Sequence, residues 1–164
     1  MKEKGLRLGS QLPQFVLEGA DGLVYRSEDW KGKPALLIFH RGTWCHSCRN
    51  HLEQIGQNME TFRQLGLAVY SILGQKKDPV IKFLEKNPLP FPVLIDESRD
   101  VIKAFDVYHP IGYDAFNIAR PSIFLVSPEQ TILYSYVGRH QADLLKNDKL
   151  TATVHELLSK VLVE

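Results

Sequence analysis

Cysteine is scarce in this 164-residue chain: there are two, alongside two methionines and two tryptophans. With one possible pair, no disulfide framework holds the fold together, and a chain this long is expected to bury a sufficient core without one. Eleven glycines and nine prolines in no periodic arrangement exclude collagen-like and low-complexity architectures. Charge of one sign is also lacking, since 20 Lys and Arg against 19 Asp and Glu leave a net charge of +1. That balance gives no electrostatic footprint for nucleic acid or an anionic membrane, and neither is expected as a partner. No apolar run approaches the roughly 18 residues that would span a bilayer. Lys2, Lys4 and Arg7 make the amino terminus basic, but no apolar h-region or small-residue cleavage site follows. The expectation is therefore a cytoplasmic protein, folded as a single domain over residues 1–164.

The two cysteines stand together as Trp44-Cys45-His46-Ser47-Cys48, after the apolar run Ala35-Leu36-Leu37-Ile38-Phe39 and before a helical pattern. Apolar residues at Cys48, Leu52, Ile55, Met59 and Phe62 carry that pattern. The pair thus lies at a strand-to-helix junction. Residues three apart in a first helical turn have α-carbons roughly 5 Å apart, within disulfide range. Cys45, at the helix amino end, faces unpaired N–H groups and the positive end of the helix dipole, so its thiolate is expected to be stabilised. Cys48, deeper in the turn, is the expected resolving thiol. Such a pair in a reducing compartment reads as catalytic rather than structural. Zinc is a weaker reading of His40, His46 and His51, because no second Cys-x-x-Cys or His pair supplies the usual spacing. His46 reads either as an exposed first-turn residue or as a cation beside Cys45.

Elsewhere, Phe15–Leu17 and Leu23–Tyr25 around Gly19-Ala20-Asp21-Gly22 predict an amino-terminal hairpin. Leu67–Leu73 and Val93–Ile95 predict strands separated by a helix that ends at Asn87-Pro88. Ser98 to Phe105 fits a short helix and Asp106 to Arg120 an irregular loop. Ser122–Val126 and Ile132–Val137 form a second hairpin, and Thr151 to Val163 a closing helix. The order implies an α/β domain with a mixed central sheet covered by helices on both faces.

The segments Phe39-His40-Arg41-Gly42-Thr43-Trp44-Cys45-His46-Ser47-Cys48 and Ile118-Ala119-Arg120-Pro121-Ser122-Ile123-Phe124-Leu125-Val126 resemble the redoxin branch of the thioredoxin superfamily. Specifically, they resemble the alkyl hydroperoxide reductase/thiol-specific antioxidant (peroxiredoxin-like) family. The resemblance runs over roughly residues 5 to 160 and implies a thioredoxin-like fold with an N-terminal β-hairpin. It implies a cis proline at Pro121 facing the cysteines, and an arginine at Arg120 that stabilises the attacking thiolate and peroxide oxygens, a role suited to a fixed cationic fork. The family's Pro-x-x-x-Thr-x-x-Cys pattern falls here on Ile38 and Gly42, with Thr43 displaced by one, so the peroxide-binding hydroxyl is missing from its place. Trp44-Cys45-x-x-Cys48 also resembles thioredoxins and the membrane-tethered thiol reductases of cytochrome maturation. His51 holds the place of the latter's glutamate, from which it could exchange a proton with Cys48. Trp44 is expected to shield the sulfur and help position a partner.

These features imply a thiol-dependent antioxidant oxidoreductase, cycling through a Cys45–Cys48 disulfide and reducing peroxide. The alternatives are a thioredoxin-like thiol-disulfide reductase and a redox sensor or binding module without turnover. Either enzyme takes a peroxide or disulfide substrate, is reduced by a thioredoxin, a glutaredoxin or a small thiol, and requires no bound cofactor or metal. An enzyme predicts an accessible Cys45 with a depressed pKa, and a sensor a buried one with an ordinary pKa. Homodimers are a further expectation from the family resemblance. Tyr108, His109, Tyr113 and Phe116 are candidates for a wall of the active site.

Overall fold

A computed structural model of the chain describes residues 4–111, 116–140 and 143–163. Its interior is built on β3 (Ala35–Phe39), five consecutive apolar residues that are all buried. A run with no polar alternation suits only a strand covered on both faces. Around it lie β1 (Val16–Gly19), β2 (Val24–Arg26), β4 (Ala68–Leu73), β5 (Val93–Ile95), β8 (Ser122–Val126) and β9 (Ile132–Val137). They form one seven-stranded sheet in the order β2-β1-β5-β4-β3-β8-β9. β3, β4 and β5 pair in parallel, while the hairpin partners on either side are antiparallel, so the sheet is mixed as expected.

Strand alternation divides the core into two layers. On one face Leu36 and Ile38 of β3 pack with Leu52 and Ile55 of α1 (His46–Gly56) and Phe62 of α2 (Met59–Gln64). Leu150, Val154 and Leu158 of α5 (Asn147–Val163) complete that layer. On the other face Leu37 and Phe39 meet Ile72, Leu94 and Phe124, closed over by Trp30, by Val101 and Ile102 of α4 (Asp100–Ala104) and by Phe105 at its carboxyl end. Val80 of α3 (Lys77–Lys86) packs separately on Leu73 and Val93. Four aromatic rings lock the second layer: Phe105 lies 6.0 Å from Phe15, 5.1 Å from Phe39 and 5.1 Å from Phe124 between centroids.

The sequence-based expectations need correction in four places. The helical pattern from Cys45 to Phe62 is two helices, interrupted at Gln57 and Asn58. Asn58 turns its side chain to Asn147 at the start of α5, and its carbonyl begins α2 by accepting from Phe62 N at 3.0 Å. Gly66, at φ 71°, then reverses the chain into β4, a left-handed conformation that glycine adopts without a Cβ clash. The expected loop from Asp106 to Arg120 contains a separate two-stranded sheet of β6 (Tyr108–Ile111) and β7 (Phe116–Ala119). Helix α5 begins at Asn147 rather than Thr151. Finally, the Arg120–Pro121 bond is trans. Trans is the ground state of an Xaa-Pro bond by about 0.5–1 kcal/mol. At the lead-in to β8 a proline needs no N–H, and its carbonyl is satisfied by Gly138 N at 2.7 Å.

Because Phe105 joins α4 to three other rings in a layer with no polar substitute, Phe105→Ala should lower unfolding stability by about 3–5 kcal/mol in chemical denaturation. A loss below about 1 kcal/mol would mean that this layer does not hold α4 to the sheet.

Candidate active site

The carboxyl end of β3 delivers His40 and Arg41 to the same edge as the lead-in to β8, because Phe39 pairs with Ser122. From there Gly42, Thr43 and Trp44 turn the chain into α1. Cys45 is the N-cap of that helix, with extended backbone (φ −82°, ψ 113°), and its Sγ accepts from Cys48 N at 3.3 Å. A serine or aspartate commonly fills this position because its oxygen satisfies an orphan amide. Here sulfur fills it, and capping favours the anion. The buried face of α1 runs Cys48, His51, Leu52, Ile55, the spacing that holds Cys48 under the helix.

Both cysteines are free thiols and both are buried, Cys45 with 6% of its surface exposed. The Cys45 pKa is lowered to about 5. The hydrogen bond from the Cys48 side chain is the largest cause, opposed by burial and assisted by Ser47, by the Cys48 amide and by the Arg41 charge. Ser47 Oγ lies 3.4 Å from Cys45 Sγ, and Arg41 Nη1 donates to the same sulfur at 3.7 Å. The Cys48 pKa moves strongly upward, because its proton is shared with the Cys45 thiolate and because the thiol is buried. At neutral pH the pair therefore carries one charge, on Cys45, with Cys48 retaining its proton.

The other expected residues divide. Trp44 is 44% exposed, and its ring covers Gly42 so closely that a Cβ there would lie 1.8 Å from Trp44 Cζ3. The position that would bear the peroxide-binding hydroxyl is thus occupied by indole. Thr43 Oγ1, one residue on, accepts from Gln75 Nε2 at 3.1 Å. Pro121 and Arg120 line a cavity with Arg41, but the Arg120 guanidinium donates to Gly138 O and Arg139 O rather than to Cys45. The cation at the sulfur is Arg41, which sequence reasoning passed over. Its signal was an arginine four residues before the first cysteine, at the end of a buried strand. His51 is committed elsewhere. Its Nε2 donates to Leu145 O at 2.6 Å, and its Nδ1 therefore accepts from His40 Nε2 at 2.8 Å. Burial is the main cause that keeps both histidines neutral. His46 is exposed and bonds Asn50 at 3.2 Å. No group of three or more His, Cys, Asp or Glu suited to a metal ion occurs among the described residues. Of the candidate wall residues, His109 lines the cavity, Tyr108 packs on the core, and Tyr113 and the Phe116 side chain lie outside the described residues.

A family model described as AhpC/TSA family matches residues 8–135. The chain belongs to the AhpC/TSA family. Thiol-disulfide oxidoreductase ResA of Bacillus subtilis is 31% identical over 131 residues, which are 79% of this chain and 67% of that protein. Peroxiredoxin Bcp of the same species is 26% identical over 151 residues, covering 88% and 96%. The crystal structure of peroxidoxin BcpB from Mycobacterium tuberculosis superposes with a TM-score of 0.81 at 18% identity, over 93% of this chain and 98% of that one. The thioredoxin-like fold and the thiol-dependent redox function expected of an AhpC/TSA protein therefore stand. No helix among the described residues is long and apolar enough to cross a membrane.

Alkylation of the reduced protein by iodoacetamide should follow a midpoint near pH 5, against about 8.5 for free cysteine. The rate falls as pH drops through that value, since protonation removes the nucleophile. Ser47→Ala should move the midpoint upward by removing a donor to the thiolate. A wild-type midpoint between about 8 and 9 would contradict the depressed thiol.

Proposed function

We propose that the chain is a CxxC thiol-disulfide oxidoreductase in which Cys45 attacks and Cys48 resolves. The observation that carries this reading over peroxide reduction is the Trp44 ring lying on Gly42, where a hydroxyl would orient a peroxide. The Cys45 thiolate attacks one sulfur of a disulfide, breaking its S–S bond, forming a mixed disulfide and releasing one thiolate. Cys48 then gives up its proton and attacks the Cys45 sulfur. The Cys45–Cys48 bond forms, the second substrate thiolate leaves, and two electrons have passed to the substrate. Reversal of these steps by a thioredoxin, a glutaredoxin or a small thiol regenerates the dithiol. The enzyme acts as a single domain over residues 1–164 in a reducing, cytoplasmic compartment.

Thiol acidity supplies little of the rate. At pH 7 a pKa near 5 leaves roughly 99% thiolate against a few per cent for a free cysteine, a gain of about 30-fold. With a Brønsted slope of about 0.4–0.5, the same depression lowers intrinsic nucleophilicity by a similar factor. Acidity alone therefore accelerates little, and positioning by Trp44, Arg41 and the Pro121 edge has to supply the rest. What acidity does supply is a good leaving group and a stabilised dithiol, which eases reduction of the Cys45–Cys48 bond.

Peroxide reduction is the second reading, favoured by Arg41 and Ser47, which place two donors at the attacking sulfur. A sensor without turnover predicts an ordinary thiol, whereas Cys45 is buried but strongly acidic.

In stopped-flow mixing by Trp fluorescence, the reduced protein should react with a small disulfide at least about 100-fold faster than a free thiol does, and with hydrogen peroxide at a rate near that of a free thiol. The opposite ranking would make peroxide the substrate. Cys45→Ser should be inert in both reactions. Cys48→Ser should accumulate one substrate thiol per chain as a stable adduct by mass, and normal cycling in that variant would reject Cys48 as the resolving thiol.

A further inference from the structure

Next to Arg41, which touches the Cys45 sulfur, lies a cavity of about 390 Å³ whose lining among the described residues holds three arginines and two histidines and no carboxylate: Arg41, Arg120, Arg139, His109 and His140, over a floor of Ile118, Ala119 and Pro121. The sheet register explains why the charges converge. Pro121 lies at the start of β8, next to the β3 end that carries Arg41, and Gly138 N binds Pro121 O at 2.7 Å. Arg120 then fastens the loop after β9 through Gly138 O and Arg139 O, at 2.8–3.0 Å, which brings Arg139 and His140 onto the same wall. The nearby acid is Asp143, which accepts from Arg139 N and Tyr136 Oη. Among the described residues, three guanidinium groups against the Asp143 carboxylate and the Cys45 thiolate leave the surroundings of the cavity net positive. A positive, partly apolar cleft concentrates small anions that carry a short hydrocarbon chain.

We infer that this cavity receives the carboxylate of a small carboxylate-bearing thiol, placing that thiol's sulfur at Cys45 for exchange. The inference rests on the oxidoreductase reading and names its small-thiol partner. Arginine suits the task because its planar fork pairs with a carboxylate through two parallel hydrogen bonds. Arg41 joins the two functions: it lines the cavity and touches Cys45 Sγ at 3.7 Å. Arg139 lines the same cavity as Arg41, so a ligand held there lies in a space that shares a wall residue with the Cys45 sulfur. During reduction the thiolate attacks the Cys45–Cys48 bond at Cys45, forming a mixed disulfide and releasing Cys48, which takes up a proton. A second thiolate then displaces Cys45 and leaves with the first as their disulfide, so the pair of thiols is oxidised as the protein is reduced.

Two readouts test the inference. The oxidised protein is reduced with mercaptopropionate, mercaptoethanol or cysteamine, which are of similar size and carry an anion, a hydroxyl and a cation, with rates expressed per thiolate. The reduced protein is separately alkylated with iodoacetate and with iodoacetamide, and the rate ratio is compared with that of a neutral small thiol. The expected result is a preference of at least about tenfold for mercaptopropionate over mercaptoethanol, and an iodoacetate-to-iodoacetamide ratio raised by a similar factor. Both should shrink at least about threefold in Arg139→Gln, whose backbone contacts with Asp143 and Arg120 are retained. Equal rates for the three thiols, or ratios unmoved by Arg139→Gln, would overturn the site. Exchange with none of the thiols while the iodoacetate preference persists would reject the oxidoreductase reading, and with it a thiol as the cavity's ligand.

Discussion

A single proton held between two sulfurs organises this protein. The Cys48 thiol donates to the Cys45 thiolate, and that bond does more than any other contact to make Cys45 acidic and to keep Cys48 protonated. The arrangement depends on Cys45 capping α1 and on Cys48 being carried under the helix on its buried face. The cap in turn depends on β3 ending where it does, in the interior of the sheet. Sheet, cap and thiol pair thus form one chain of cause from apolar patterning to acidic thiol.

Arginine has two separate tasks around that pair. Arg41, buried at the end of β3, contributes charge directly to the sulfur. Arg120 spends its hydrogen bonds on the carbonyls of Gly138 and Arg139, so it builds the wall of the neighbouring cavity. Trp44 bears on the site through its position. By lying over Gly42 it removes room for a side-chain hydroxyl and presents a half-exposed aromatic face beside the Cys45 thiolate.

Much of this was legible in the sequence because it is local. The apolar run at 35–39, the pair at 45 and 48 and the period that follows are contiguous signals, and they located the thiols at a strand-to-helix junction. The mixed sheet and its covering helices followed from element order. What remained hidden was set by tertiary contact. The break at Asn58 depends on Asn147, which is 89 positions away, so the apolar period ran through it unmarked. The β6–β7 pairing joins two four-residue segments, the first of them containing Pro110, in a stretch that read as loop. Arg41 was eclipsed by Arg120, since a family resemblance points to a position while only the fold shows which guanidinium reaches the sulfur. His51 offered a free imidazole on a helical wheel, yet in the fold both its nitrogens are taken by His40 and Leu145.

The claim that one thiolate and one retained proton define the site is tested most directly by a carbon-13 titration of both cysteine Cβ resonances in the reduced protein. The account predicts that Cys45 titrates near pH 5 while Cys48 stays protonated well into the alkaline range. Two coincident titrations between about 8 and 9, or Cys48 ionising before Cys45, would contradict it.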